Sequence, residues 1–203
     1  MNIPVDLRNL IDSEQTDFIV KSTRNFPKKK GIVLLLFALF WNTFVSIFVI
    51  AFIVPIIRGK EIHFKVNDVP TSGSLDNWES ILVPSLIISL FVFVGIGMLI
   101  WALVQLIQKG GYFVGTETRF IKYRNGQIII KDWEQFSGNI NINSKSELGD
   151  LELELRTGKV KRGNEGSDKF VPDLIYISGI KNVFEIEKKC RIRIQENDPT
   201  PKK

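Results

Sequence analysis

The chain of 203 residues has a single cysteine, Cys190, and a single histidine, His63. One cysteine forms no internal disulfide, which excludes a disulfide scaffold. A structural zinc site needs about four Cys or His ligands, so that is excluded as well. The phosphate-cradling loops GxxxxGK[ST] and GxGxxG are both missing. Gly95-Ile96-Gly97 comes nearest, and it lies inside an apolar run. A nucleophile needs a base beside it, and His63 and Cys190 fall in segments expected on opposite sides of a membrane. Glu152 and Glu154 alternate on a predicted strand, which makes them a solvated face rather than an acid/base pair. Asp168 and Asp173 flank a predicted loop and form no metal site. These absences predict a protein that is not an enzyme, with no catalytic residue, cofactor or metal. Basic residues are not interleaved with aromatics, so nucleic acid is not an expected partner.

Charge is absent from two long stretches, Gly31 to Ile57 and Ile81 to Ile107. The mean hydropathy of +0.08 hides this partition. A membrane-spanning helix needs roughly 20 apolar residues at ~1.5 Å rise each. Both runs exceed that, and inside hydrocarbon their backbone groups must be paired within a helix. Residues 31–57 and 81–107 are therefore read as two transmembrane helices joined by an outer loop, 58–80. Asn77 and Ser80 are predicted N-caps of the second span, with Pro84 in its first turn and Gly110-Gly111 as its stop. The first run is too long for the h-region of a signal peptide and is expected to be retained.

Lysines and arginines set orientation. Lys21, Arg24, Lys28, Lys29 and Lys30 precede the first span, and Lys109, Arg119, Lys122 and Arg124 follow the second. The loop balances Arg58, Lys60 and Lys65 against Glu61, Asp68, Asp76 and Glu79. Both termini are thus expected in the cytoplasm. Lys28, Lys29, Lys30 and Trp101 are the expected interface anchors. Asn42, Thr43, Ser46, Ser85 and Ser89 are the polar residues of the spans. They read as packing groups, with Asn42 bonding across the hairpin and Ser85 with Ser89 forming a small-xxx-small face.

The segment 1–30 is expected to be cytoplasmic. Ile3, Leu7, Leu10 and Ile11 share one helical face, and Phe18, Ile19 and Val20 form a second apolar cluster. An amphipathic helix on the inner leaflet, a short helix packed on the C-terminal domain, and partial disorder all fit this pattern.

From Gly111 the pattern becomes that of strands. Tyr112–Gly115, Thr118–Arg124 and Gln127–Lys131 are predicted strands, and Asn125-Gly126 between the last two is a type I′ hairpin signal. Gly138–Asn143 and Leu151–Arg156 alternate with period two. Phe170–Ile177 is a further apolar strand, after a long loop at Thr157–Lys169. Val183, Phe184, Ile186, Ile192 and Ile194 mark a closing helix near Lys181–Gln195, in which Cys190 is a small core or helix-face residue. Residues 111–197 form this domain and 198–203 a tail.

Tyr112-x-x-x-Thr116-x-x-Arg119-Phe120-Ile121 follows the transmembrane hairpin. With the Asn125-Gly126 turn, the Asp132-Trp133 bend, the Ile175-Tyr176-Ile177 strand and the closing helix, it resembles bacterial pleckstrin-homology-like (PH-like) domains over Gly111 to Gln195. The resemblance implies a membrane α + β protein: a two-helix transmembrane hairpin followed by an antiparallel β-barrel or sheet capped by a C-terminal helix. It also implies binding or assembly as the role, and a bacterial inner membrane as the location. Eukaryotic PH-like domains hold phosphorylated lipid headgroups with basic residues near the first hairpin, and Lys122, Arg124 and Lys131 are the corresponding candidates here. Lys159, Lys161 and Arg162 form a second basic cluster. The expected function is a membrane-anchored, non-enzymatic scaffold whose partners are membrane lipid and either a protein or a second copy of itself. Alternatives are a small oligomeric channel or transporter accessory subunit, and a lipid-headgroup sensor.

Overall fold

The structure, a computed structural model, describes residues 3–12, 14–66, 68–144, 147–162 and 168–199. The chain divides into two compact units, one of residues 29–106 and one of 1–28 with 107–203.

The first unit is dominated by two helices long and apolar enough to cross a membrane, α2 (Lys28–Ile57) and α3 (Trp78–Ile107). Only 11% of the most apolar window of each is buried. The contact between them is a seam of small residues. Ala38 and Ala102 are fully buried, and Gly95 admits the Asn42 side chain, whose oxygen would lie 2.7 Å from a Cβ added there. Asn42 Nδ2 donates across the seam to the Gly95 carbonyl at 3.0 Å, and Trp41 Nε1 donates to the Phe91 carbonyl at 3.2 Å. The small residues buried in the seam on α3 are Gly95 and Ala102, while Ser85 is half-buried. Ser89 is exposed, because it faces away from α2 at the α-helical period.

Pro84 also differs from expectation. The helix starts at Trp78, so Pro84 lies inside it and Ser80 is a helical residue rather than a cap. Ser80 Oγ instead donates to the carbonyls of Ser72 and Asn77, both at 2.9 Å. Near the end of α2 the turn widens to π geometry at Val49–Ile53, just before Pro55, which has no N–H to donate. Between the helices the expected loop contains a hairpin, β2 (Ile62–Val66) with β3 (Val69–Gly73).

The second unit holds two antiparallel sheets and a closing helix. One sheet has the order β1 (Thr16–Lys21), β4 (Tyr112–Thr116), β5 (Arg119–Arg124), β6 (Gln127–Asp132). The other is β7 (Phe136–Ser144), β8 (Gly149–Arg162), β9 (Asp168–Ile180). The β5–β6 turn has Asn125 and Gly126 at φ of 49° and 80°, the left-handed pair a type I′ turn requires. Phe113, Phe120, Trp133 and Phe136 cluster between the sheets, Phe120 meeting Trp133 and Phe136 edge to face and the other pairs tilted, with Leu151, Leu153 and Ile177 against them. Trp133 Nε1 donates to the Thr116 carbonyl at 2.8 Å, so the buried indole keeps its partner. Helix α4 (Val183–Glu196) buries Val183, Ile186, Cys190 and Ile194 on this core.

Two features depart from the sequence reading. The N-terminal residues belong to this unit. Strand β1 is the edge strand of the first sheet, paired with β4 from Thr16↔Thr116 to Lys21↔Tyr112. Helix α1 (Val5–Ile11) lays its apolar face on the sheet, with Leu7 buried against Val114 and Ile121, which is one of the three arrangements its pattern allows, so the departure here is strand β1. Its apolar stripe is thereby taken up by protein. Arg193 of α4 holds the Asp17 carboxylate in a bidentate pair at 2.7 and 2.8 Å, and Arg119 pairs with Glu14. The second departure is that the ladder of β8 and β9 runs on through the expected loop, out to Arg162↔Asp168. A register shift between Glu154 and Gly158 breaks the alternation there, which is why a linear pattern reads this stretch as loop.

Candidate functional site

Chain residues 22–25 leave β1 and run on between the two sheets. Ser22 N donates to the Gly111 carbonyl at 2.9 Å and Asn25 N to the Gln108 carbonyl at 3.2 Å. On the other side, Thr23 N and Arg24 N donate to the carbonyls of Gly179 and Ser178 at 3.3 and 3.2 Å. Asp150, nearly buried, staples this seam. Its Oδ1 accepts from Arg24 Nη2 at 3.0 Å and from Gly179 N at 2.8 Å.

Beside the seam lies a cavity of about 330 Å³, bordered by β6 on one side and by β8 and β9 on the other. Its polar lining is Asn25, Lys122, Lys131, Thr157, Asp173 and Tyr176, and Ile129 and Leu174 are among its apolar residues. The register explains the convergence. Phe120 faces Lys131 and Lys122 faces Ile129 across the ladder, and Phe120 is in the core. Alternation therefore turns Lys122 and Lys131 to the same inner side.

Of the basic residues predicted from sequence, Lys122 and Lys131 line the cavity. Lys122 is half-buried, with its ammonium 5.6 Å from the centre of the Phe113 ring. Burial, and then the Arg124 guanidinium nearby, pull its pKa below the ordinary lysine value. Arg124 shares the face but turns to the seam. With the Gln108 amide oriented so that its oxygen faces Arg124, that oxygen accepts from both terminal nitrogens, at 3.2 Å for Nη1. The one carboxylate in the lining, Asp173, accepts a 3.0 Å bond from Thr157 Oγ1. Among the described residues neither Lys122 nor Lys131 has a carboxylate in ion-pair range.

The sequence reading overlooked the apolar part of this site. Strand β6 ends its sheet, so its outer edge is free, and Ile128, Ile129 and Ile130 are all exposed along it. A run of three isoleucines in a short strand signals burial by something, and none of the described elements covers it. Lys159, Lys161 and Arg162 are exposed on the β8–β9 extension. Lys28, Lys29 and Lys30 open the first turn of α2, and Trp101 lies exposed on α3. Among the described residues no group of His, Cys, Asp and Glu is arranged to hold a metal ion. No family model, no curated protein and no solved structure matches this chain.

Proposed function

We propose that this protein is a membrane-anchored, non-enzymatic binding module. Its site is the cleft beside the free edge of β6, which receives an extended, acidic segment of a protein partner or of a second copy. The exposed isoleucine edge next to the cavity lined by Lys122 and Lys131 carries this reading. A free strand edge offers unpaired N–H and C=O groups to an incoming strand. The lysines then favour a segment with carboxylates, since among the described residues neither has a carboxylate in ion-pair range.

The anchor reading rests on α2 and α3. Their apolar side chains, such as Phe40, Phe93 and Ile107, stand outward, and water would make such a surface costly. Two of their hydroxyls are satisfied by their own helix backbone, Thr43 Oγ1 donating to the Leu39 carbonyl at 2.9 Å and Ser46 Oγ to the Thr43 carbonyl at 2.7 Å. Neither apolar run contains a charged residue, which weighs against the channel alternative. Strand β1 precedes α2, β4 follows α3, and the two are hydrogen-bonded neighbours. That pairing supports a topology with both flanks of the hairpin on one side of the bilayer, and the excess of lysine and arginine there favours the cytoplasmic side. Cleavage of the first apolar run as a signal sequence would remove an edge strand of the sheet. The succession of strands in two antiparallel meanders with a terminal helix supports the PH-like reading, with the hairpin inserted after the first strand.

A second reading, a phosphorylated lipid headgroup in the cavity, is favoured by the convergence of Lys122 and Lys131. A photoreactive phenylalanine analogue at Ile129 in the full-length protein, irradiated in native membranes, separates the two. A protein adduct that disappears in K122E/K131E supports the proposed function, whether the adduct is another protein or the chain itself. Lipid adducts alone move the assignment to the headgroup reading. Absence of any adduct overturns the cleft as a site.

A further inference from the structure

Beyond the cavity, β8 and β9 run out as a two-stranded arm, paired from Gly158↔Pro172 through Lys159↔Val171, Val160↔Phe170 and Lys161↔Lys169 to Arg162↔Asp168. Residues opposite one another share a face, and neighbours along a strand alternate. One face therefore carries Val160, Phe170 and Pro172, with Arg162 and Asp168 farther out on it, and the other carries Lys159, Lys161 and Lys169 with Val171. Val160 and Phe170 are 64% and 52% exposed, so the apolar face is bare in the isolated chain. Arg162 lies opposite Asp168. Among the described residues none of Lys159, Lys161, Arg162 and Lys169 is in an ion pair. The arm is thus amphipathic and strongly cationic.

The seam places the start of the arm beside the chain that leads to Lys28. Thr23 and Arg24 run antiparallel to β9 at Gly179 and Ser178, and Phe26 then meets the Tyr176 ring at 6.0 Å between centroids. The chain approaching Lys28 therefore travels toward the arm. Gln108, on the return path, pairs with Asn25 at the same place. Both covalent passages to the apolar helices leave this unit at its arm end. From Tyr176 to Phe170 the strand advances about 20 Å further in that direction, at ~3.4 Å per residue.

We infer that the β8–β9 arm is a second membrane contact: Val160 and Phe170 enter the interfacial layer of the bilayer, and Lys159, Lys161 and Lys169 engage anionic headgroups. Amphipathic segments with lysine on the polar face and an aromatic on the other bind such interfaces. The inference rests on the reading of α2 and α3 as membrane spans, and is independent of what fills the cavity.

Cys190 is the only cysteine and is fully buried, so a cysteine introduced at an exposed position is labelled alone in the native protein. The full-length protein, labelled with an NBD fluorophore at F170C, V160C, K188C or L90C, is placed at one copy per nanodisc in lipid containing phosphatidylglycerol. Dithionite added from the aqueous phase reduces accessible NBD. The expected result is reduction at 170 and 160 roughly tenfold slower than at 188, on the exposed face of α4, with 90 in α3 fully protected. The triple variant K159E/K161E/K169E should bring 170 and 160 back to the rate of 188. Reduction at 170 as fast as at 188, with 90 still protected, overturns the arm while leaving the anchor standing. Protection of 170 only in discs with two copies overturns it too, because a second chain then covers the face. Fast reduction at 90 removes the anchor and the inference with it.

Discussion

Phe93 and Phe40, in the unit of residues 29–106, turn 73% and 68% of their surface outward, whereas Phe113, Phe120 and Phe136 in the other unit expose nothing. The same side chain is on opposite sides of the two structures. Polar groups are reversed in parallel. Asn42 is tucked between α2 and α3, while the charged residues of the sheet unit, Glu14, Asp17 and Arg193 among them, pair at its partly exposed surface. The contrast is the one that the proposed anchor requires, with each unit obeying a different solvent. In water the apolar surface is driven inward. In hydrocarbon that drive vanishes, and what holds helices together is close packing of small residues and the satisfaction of polar groups.

The contrast breaks most completely when the units are separated. Joining Asn25 directly to Gln108 by an Asn-Gly turn removes α2, β2, β3 and α3 but keeps β1 beside β4. We expect a monomeric protein that needs no detergent, measured by size-exclusion chromatography and circular dichroism. Aggregation of that product would mean that the sheet unit depends on the helices. Next in size is Trp133→Ala, which empties the centre of the aromatic cluster and should cost about 3–5 kcal/mol of the sheet unit's stability. Phe93→Ala removes as apolar a group from α3 and should change stability in lipid by less than about 0.5 kcal/mol. Thermal unfolding of both variants in the same nanodiscs tests the pair, and equal effects would erase the distinction between the solvents.

Asp150→Ala follows. It leaves the Gly179 N–H and the Arg24 guanidinium without their acceptor, at a cost of about 2–3 kcal/mol in denaturant titration. Asn42→Ala should weaken the helix pair by about 0.6–1.7 kcal/mol, read as a lower midpoint in dodecyl sulfate titration.

The smallest effect concerns Asp17. The hydrogen bonds from Arg193 hold its carboxyl below the ordinary value near 3.8. A group with a depressed folded-state pKa stabilises above its unfolded pKa, and that contribution is lost as pH falls through the folded value. Asp17→Asn should therefore cost about 1 kcal/mol at pH 7 and almost nothing near pH 2. A pH-independent difference between variant and parent would show that the pair does not act through charge.

What the sequence displays is local. Two charge-free runs, the Asn125-Gly126 turn, the Leu151, Leu153, Leu155 alternation and the 3.6-residue pattern of α4 each lie within one short window, and each forms in the structure. What it hides is tertiary. Strand β1 finds its partner 89 residues away across the Ser22–Gly111 pair, a separation no periodicity records. The arm is masked by a register shift, and the β2–β3 hairpin by its second strand, since Ile62, Phe64 and Val66 alternate but Val69–Gly73 carries a proline and two hydroxyl residues. At the site, Lys122 and Lys131 are recognisable as basic residues on neighbouring strands. That their shared face turns inward depends on Phe120 packing beneath them, which only the assembled sheets decide.

The separation of β1 from β4 also has a meaning in time. During synthesis β1 leaves the ribosome first and waits while both apolar helices and the hairpin between them are made. Only when Tyr112 to Thr116 emerges does it gain a partner, and only when α4 follows does Asp17 meet Arg193. On the proposed topology that meeting requires α3 to have returned the chain to the side it came from. A helix that fails to insert, or inserts in the wrong sense, strands β1 and β4 on opposite sides and leaves Phe18 and Phe113 bare. On that topology, completion of the sheet depends on correct insertion of both helices, and an unpaired β1 edge accompanies failure.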